Sequence, residues 1–525
     1  MTRGRLFSAF LALLSAACAV GPNYKRPSVP VPAAYKEERP PPDAAAEPQW
    51  KPAEPRDDAS RGKWWELFED PDLNALEEQI DVSNQNIAQA EAQFRGARAA
   101  VRGARADFFP TVTASASVTR SQGSAGRSTA DTSTPASTAA TTVYALPVDL
   151  SYEVDVWGRV RHNVESSVAG AQASAADLET VRLTMHAELA LDYFELRGID
   201  TQRQLLDSSV AAYEKALQMT MNRFNQGVVS GVDVAQAQTL LETTRAQATD
   251  LGVSRAQLEH AIATLIGKPP ADFTFRPTPG LPGPPVIPVS LPSELLERRP
   301  DIAAAERRAS AANAQIGVAT SAFFPRLLLA ATGGYESTRL ADWFSLPSWF
   351  WAIGPSVVAT IFDGGKRRAG VEQARASYDA AVAVYRLDVL TSFQQVEDNL
   401  AALRILSEEA AQQAAAVAAA ERSLTIARNR YLAGTTTYLE VVTAQTVALA
   451  NERTAVEIQI RRMTAAVNLI KALGGGWHAS DLPYGGAVTA SAPPDTTERP
   501  STSAPAPEPR APEIPVIPSQ RFLSS

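Results

Sequence analysis

Proline is absent from Val148 to Lys268 and again from Ser356 to Leu482, two stretches of more than a hundred residues each in a chain of 525. Proline lacks a backbone donor and clashes with the preceding turn, so it ends helices. Its absence leaves room for very long ones. Inside both stretches apolar residues recur at steps of three and four, or sums of them. Leu196, Ile199, Leu206, Val210, Tyr213, Leu217 and Phe224 do so in the first; Val389, Phe393, Val396, Leu400 and Leu403 do so in the second. Such steps lay side chains along one helical seam. The pattern predicts helices of roughly 65 residues, on the order of 100 Å long at about 1.5 Å per residue. That length suits a rod or a tube wall rather than a globular domain.

Composition agrees. Aromatic residues are 7% of the chain and alanine is frequent, which leaves little material for a thick core. Alanine-rich helices pack closely along thin seams instead. Several independent globular domains, the usual expectation at this length, are not visible. A net charge of -8 argues against a nucleic-acid partner, which requires a clustered basic surface.

Each long stretch breaks at a glycine turn, Asn222-Arg223-Phe224-Asn225-Gln226-Gly227 in one and Asn429-Arg430-Tyr431-Leu432-Ala433-Gly434 in the other. Glycine after the last helical residue is the common stop. New helices are expected through Gln238 to Leu265 and through Gln445 to Leu473. Ala237-Gln238-Thr239 corresponds to Ala444-Gln445-Thr446, Asp233 to Glu440, and Ile266-Gly267 to Leu473-Gly474. Earlier in each copy, Phe108-Phe109-Pro110 corresponds to Phe323-Phe324-Pro325. The order of these matches marks an internal duplication.

After each Phe-Phe-Pro the period changes to two. Val112, Ala114, Ala116 and Val118 alternate with Thr and Ser. Tyr144, Leu146, Val148, Leu150, Tyr152, Val154 and Val156 alternate with polar or small residues. Trp351, Ile353, Pro355, Val357, Ala359 and Ile361 repeat the pattern in the second copy, and Leu327 to Glu336 shows it less cleanly. Period two means a strand with one apolar face. A soluble sandwich strand gives the same pattern; isolation between enormous helices favours a transmembrane barrel, apolar to lipid and polar to the lumen. Two β-hairpins supply four strands, and membrane barrels start at about eight. Closure then needs several chains.

The N-terminus has Arg3 and Arg5, a short apolar run from Leu6 to Leu14, and small Ser15, Ala16 and Ala17 before Cys18, the single cysteine. That is an export signal, too short to span a membrane. A cysteine at the cleavage point predicts a covalent diacylglycerol and an N-palmitoyl group on Cys18; the alternative is an ordinary cleavage site with a leftover thiol. Ala19 follows, which fits outer-membrane retention. The expected organisation is a signal peptide at 1–17, a lipidated Pro-rich segment at 18–62, a first repeat at 63–269 with its β-hairpin at about 111–156, a linker at 270–295, a second repeat at 296–477 with its β-hairpin at about 326–361, and a Pro/Ser/Thr-rich disordered tail at 478–525.

Enzymatic chemistry is not visible, and no cofactor beyond the lipid is called for. His162, His186, His260 and His478 are dispersed, without ligand spacing. Neither a phosphate-cradling glycine loop nor a nucleophile elbow is present. Asp155-Val-Trp157-Gly158-Arg159 and Asp363-Gly364-Gly365-Lys366 stand where a strand hands over to a helix, and turn geometry accounts for their glycines.

Three motifs are more specific. Cys18-Ala-Val-Gly-Pro-Asn-Tyr-Lys-Arg-Pro27, Trp64-Trp65-Glu-Leu-Phe68-Glu-Asp70-Pro71-Asp-Leu73 and Leu291-Pro-Ser-Glu-Leu-Leu-Glu-Arg-Arg-Pro300-Asp-Ile302 resemble the mature start, the entry to the first helix and the inter-repeat signature of the outer-membrane factor lipoproteins of tripartite efflux systems. The resemblance spans Cys18 to about Trp477. It implies a mainly α fold with a membrane β part: a homotrimer whose strands form a twelve-stranded outer-membrane barrel and whose helices continue as a periplasmic α-barrel. It implies a periplasmic adaptor and an inner-membrane pump, proton-driven by expectation, as partners, and small molecules such as drugs, toxic organics or metal ions as cargo. It places Tyr431, Leu439 and Glu440 on gate positions at the periplasmic tip, with Asp233 the first-copy counterpart of Glu440. Thr443 stands where many members carry a second Asp, so a double acidic ring is in doubt. From the residues alone, Asp233 and Glu440 are first-turn acids favoured by a helix dipole. Two rivals remain: a duct for type I protein secretion, and a structural periplasmic coiled-coil lipoprotein without a pore.

Overall fold

The computed structural model describes residues 20–37, 63–122, 139–287 and 292–476. The export signal, Cys18, most of the Pro-rich segment and the tail lie outside the described residues.

Eight α-helices and five strands occur among the described residues: α1 (Pro71–Ser83), α2 (Gln85–Ala106), β1 (Thr111–Ala114), β2 (Ser117–Ser121), β3 (Thr141–Val154), α3 (Arg159–Asn225), α4 (Gly231–Leu265), α5 (Pro292–Arg298), α6 (Pro300–Ser321), β4 (Arg326–Ser337), β5 (Trp349–Val358), α7 (Lys366–Leu432) and α8 (Tyr438–Ala472). The long helices α3 and α7 each run 67 residues, roughly 100 Å. A glycine in the left-handed region precedes each, Gly158 at φ 83° and Gly365 at φ 95°. Glycine has no side chain with which to cap a helix. Asp155 does it for α3, accepting from the Val160 and Arg161 amides at 3.0 and 2.9 Å. Asp363 does it for α7, accepting from the Arg367 amide at 3.1 Å. The two Asp-Gly motifs are therefore helix starts, with the carboxylate satisfying free amides.

Shorter helices abut end to end alongside the long ones. Asn84 Nδ2 donates to the Leu265 carbonyl at 2.8 Å and Ser83 Oγ to that of Ile266 at 2.6 Å, joining the α1–α2 corner to the end of α4. A Cβ on Gly267 would lie 2.3 Å from the Ser83 carbonyl oxygen, and one on Gly474 would lie 2.3 Å from that of Arg298. The matched Ile266-Gly267 and Leu473-Gly474 pairs thus have one physical cause: a helix ends against another backbone.

The bulky core sits around this junction. Trp64, Trp65, Phe68, Tyr193, Phe194, Leu196 and Ile262 form one cluster, and Tyr385, Val389, Phe393 and Val396 another. Away from the junction the seam thins to Leu206, Tyr213, Leu241, Ala248 and Leu449. Phe224 departs from the expected seam: it is exposed at the end of α3, beside Gly231, which has no side chain to cover it. Residues 20–37, the described start of the Pro-rich segment expected at 18–62, lie along α6 and α7. Tyr24 donates to Glu306 Oε1 at 2.6 Å, the Lys36 and Glu37 amides donate to the Glu397 carboxylate at 2.7 and 2.9 Å, and Tyr35 is buried among the second cluster.

The strands form one antiparallel sheet, ordered β1/β2, β3, β4, β5. β1 and β2 are halves of one row, since both keep a single register with β3. The row breaks opposite Pro147. The Ser115 amide still donates to the Pro147 carbonyl at 3.1 Å, but Pro147 has no N–H to return. Register places Val112, Leu150, Ala331 and Ile353 side by side, and Thr113, Asp149, Thr332 and Ala352 in the adjacent row. One face is thus apolar and the other polar or small. Leu328 falls on the polar side beside Glu153 and Ser356, which explains the blurred alternation of β4. β5 ends at Val358, short of the expected Ile361, because β4 begins opposite it at Arg326.

Candidate functional site

Two features stand out from the packed helices: the open sheet and, a helix length away, the paired helical turns. The sheet leaves β1/β2 and β5 as free edges. Its apolar face carries exposed Val112, Val118, Trp351, Ile353 and Val357. Aromatic residues gather at both ends. Trp343, Phe344, Tyr335 and Trp349 are in ring contact at the β-hairpin end, and Trp157 stacks on Phe324 at 4.7 Å where the sheet meets the helices. No described helix is long and apolar enough to cross a membrane.

The two helical turns share a backbone. Gly227 and Gly434 both lie at φ 73°. Val228 N donates to Arg223 O at 2.9 Å, and Thr435 N to Arg430 O at 3.0 Å. This is the glycine-terminated closure that satisfies the last carbonyls of a helix. Side chains then diverge. Tyr431 and Tyr438 meet edge to face at 5.2 Å and are buried with Val441 and with Ala237 of α4. Arg223 reaches over from the first turn: its guanidinium lies 4.6 Å above the Tyr431 ring and Nη1 donates to the Tyr431 carbonyl at 3.1 Å. Burial, then Tyr431, then Asp233 push the Tyr438 hydroxyl up to about 12, so it is neutral at physiological pH.

The predicted residues separate into two groups. Tyr431 is buried inside the chain, and Asp233, half-buried, acts electrostatically on Tyr438. Leu439, Glu440 and Thr443 share the exposed face of α8, away from that cluster. Glu440 pairs with Arg430 at 3.4 Å. Thr443 donates its hydroxyl to the Leu439 carbonyl at 2.9 Å and brings no charge. Sequence reasoning missed Arg223, Arg430 and Tyr438. A residue-by-residue comparison of the copies contains the signal for Tyr438, which stands where the first copy has Gly231. Tyr431 Oη, Gln236 Oε1, Thr436 Oγ1 and Gln445 Oε1 are buried at this end without a hydrogen-bond partner among the described residues. Among those residues no group of three or more His, Cys, Asp or Glu could hold a metal.

Known proteins share this architecture. The sequence profile of the outer membrane efflux protein family matches residues 76–268 and 291–475. The chain is 30% identical over 481 residues to the probable efflux pump outer membrane protein TtgC of Pseudomonas putida, covering 91% of this chain and 96% of that one. It is 32% identical over 470 residues to outer membrane protein OprJ of Pseudomonas aeruginosa, covering 89% and 95%. A relative 30% identical is described as a toluene efflux pump outer membrane protein, also from Pseudomonas putida. Among solved structures, the outer-membrane channel OprN superposes with a TM-score of 0.76 at 32% identity, over 88% of this chain and 100% of that one. The open state of the Neisseria gonorrhoeae MtrE outer membrane channel gives 0.75 at 28%, over 88% and 99%. A two-copy helix–β-hairpin–helix chain with an open membrane sheet, matched along nearly its whole described length, belongs to the outer membrane efflux protein family and is an outer-membrane efflux channel subunit.

Proposed function

We propose that three copies of this chain join their sheets edge to edge into a twelve-stranded barrel and their helices into a periplasmic tube, the exit duct of a tripartite efflux system. The open sheet carries this reading. Unpaired strand edges cannot face lipid, because each free N–H and C=O costs several kcal/mol there. Neighbouring copies supply the missing strands. The cargo is small toxic organic molecules or antibiotics, driven by a proton-coupled inner-membrane pump through a periplasmic adaptor. The chain itself is a passive duct without catalysis.

Cys18 carries the lipid anchor. Supporting this, the Val20 amide donates to the Trp157 carbonyl at 3.1 Å, which puts the chain beside the base of the sheet two residues after that cysteine. The gate lies at the helical turns. Leu439, Glu440 and Thr443 face the pore, while Tyr431 and Asp233 act from the packed side, where the two turns of one chain are tied together. Glu440 gives the pore a cation preference, moderated by Arg430.

Purified protein reconstituted in planar bilayers tests the duct. The expected result is cation-preferring conductance from a heat-labile trimer, together with restored solvent or antibiotic tolerance in an efflux-deficient host. Monomers without conductance would contradict it.

A further inference from the structure

Beneath the base of the sheet, the segment 20–37 and helices α6 and α7 line an open pocket of about 530 Å³. Lys25 and Arg375 line it, with Asn23, Asn313, Thr320 and Tyr378. Neither Lys25 nor Arg375 has a hydrogen-bond or ion-pair partner among the described residues. Glu372 and Asp379 flank Arg375 on α7 at the i−3 and i+4 positions and form no ion pair with it. Asn313 already holds the Pro22 carbonyl at 3.0 Å; the Asn23 amide and the Tyr378 hydroxyl remain as neutral donors. The pocket thus presents two exposed cations, Lys25 and Arg375, and two neutral donors to one opening.

Its depth narrows the ligand. Gly21, on its rim, packs against Gly317 and the His162 ring. One residue earlier Val20 is bonded to Trp157, whose indole donates to the Pro325 carbonyl at 2.8 Å. Thr320 stands one residue before the end of α6. The upper rim is therefore about one helical turn below the aromatic boundary of the sheet, and the headgroup layer of a bilayer is roughly 5–7 Å deep on each side. Long basic side chains just outside the hydrocarbon reach up to that layer.

We propose that this pocket binds the phosphodiester headgroup of an anionic phospholipid of the inner leaflet, with Lys25 and Arg375 as its cationic contacts. The headgroup would fill the space under the sheet and pin the N-terminal segment against α6 and α7. The proposal rests on the membrane placement of the sheet.

Delipidated full-length trimer in detergent, titrated with phosphatidylglycerol, phosphatidylethanolamine or inorganic phosphate and read by native mass spectrometry, tests it. Wild type is expected to retain phosphatidylglycerol in preference to phosphatidylethanolamine. The Lys25→Gln/Arg375→Gln pair is expected to bind it on the order of twentyfold more weakly, each basic contact near a bilayer contributing about fivefold. The charge-conserving Lys25→Arg/Arg375→Lys pair is expected to keep the binding, which separates lost charge from lost folding. Equal retention by the Gln pair, no preference for the anionic lipid, or displacement by millimolar phosphate alone would overturn the proposal. Bilayer conductance of the same preparations separates the two readings: conducting channels with equal lipid retention refute the headgroup site and leave the duct standing.

Discussion

At the first helical turn Phe224 is 47% exposed beside Gly231; at the second, Tyr431 and Tyr438 occupy the same places in the repeat and are 3% and 2% exposed. The backbones match to the degree in φ at Gly227 and Gly434. The difference lies entirely in side chains. Replacing Gly231 by Tyr438 gives the second turn an aromatic pair to bury, and the first turn contributes the cover, Ala237 and Arg223. The two arginines of the Asn-Arg-aromatic motif have correspondingly different partners. Arg223 crosses to the other turn; Arg430 folds back onto Glu440 of its own hairpin. Duplication supplied two equal tips, and a few substitutions made one the anchor and the other its clasp.

The largest contrast is expected from truncating the aromatics. Tyr431→Ala removes a buried ring and should lower local stability by about 3 kcal/mol. Phe224→Ala, at the matching exposed position, should change it by less than about 0.5 kcal/mol. Amide hydrogen exchange at the two turns reads both, and equal effects would remove the distinction between packed and exposed tips.

Arg223→Ala comes next. It loses a cation–π contact and a charged hydrogen bond, together about 2 kcal/mol for a half-exposed side chain. With the first tip released, single-channel conductance should rise several-fold. Arg430→Ala breaks only an exposed pair, worth under about 1 kcal/mol, and should leave the conductance of the resting channel within a factor of two. A reversed order would mean that the tie runs through Arg430 instead.

Caps give a smaller difference. The Ser230 hydroxyl accepts from the Val232 amide at 3.1 Å, whereas Thr437 makes no side-chain cap bond. Ser230→Ala should weaken the start of α4 by about 1 kcal/mol, and Thr437→Ala should leave α8 unchanged within error. Exchange rates of the first-turn amides of each helix decide it.

The smallest effect on stability is expected for Glu440→Gln, under about 0.5 kcal/mol because the pair is exposed. Its readout is electrical. Reversal potentials under a salt gradient should show reduced cation preference, while Arg430→Gln should increase it. Unchanged selectivity in both would take Glu440 out of the pore.

What could be read from the sequence follows the range of the interaction. Glycine turns, long helices and period-two strands are set by residues within a few positions, so Gly227, Gly434 and the Val148–Leu150 alternation were visible. Even the break in the first strand row has its cause in one legible residue, Pro147. The clasp was not visible, because Arg223 and Tyr431 are 208 positions apart and nothing local marks them as partners. The docking of 20–37 is illegible for another reason: extended segments have no helical period, so the burial of Tyr35 and the half-burial of Tyr24 on α6 and α7 leave no pattern to find.

The most direct test of the central claim is the mass of the detergent-solubilised protein in its native state. Closure of an open four-row sheet by copies of itself predicts a single species of three chains, each of 56.0 kDa before processing, that conducts when reconstituted. A folded, lipid-inserted monomer with the same sheet would contradict it.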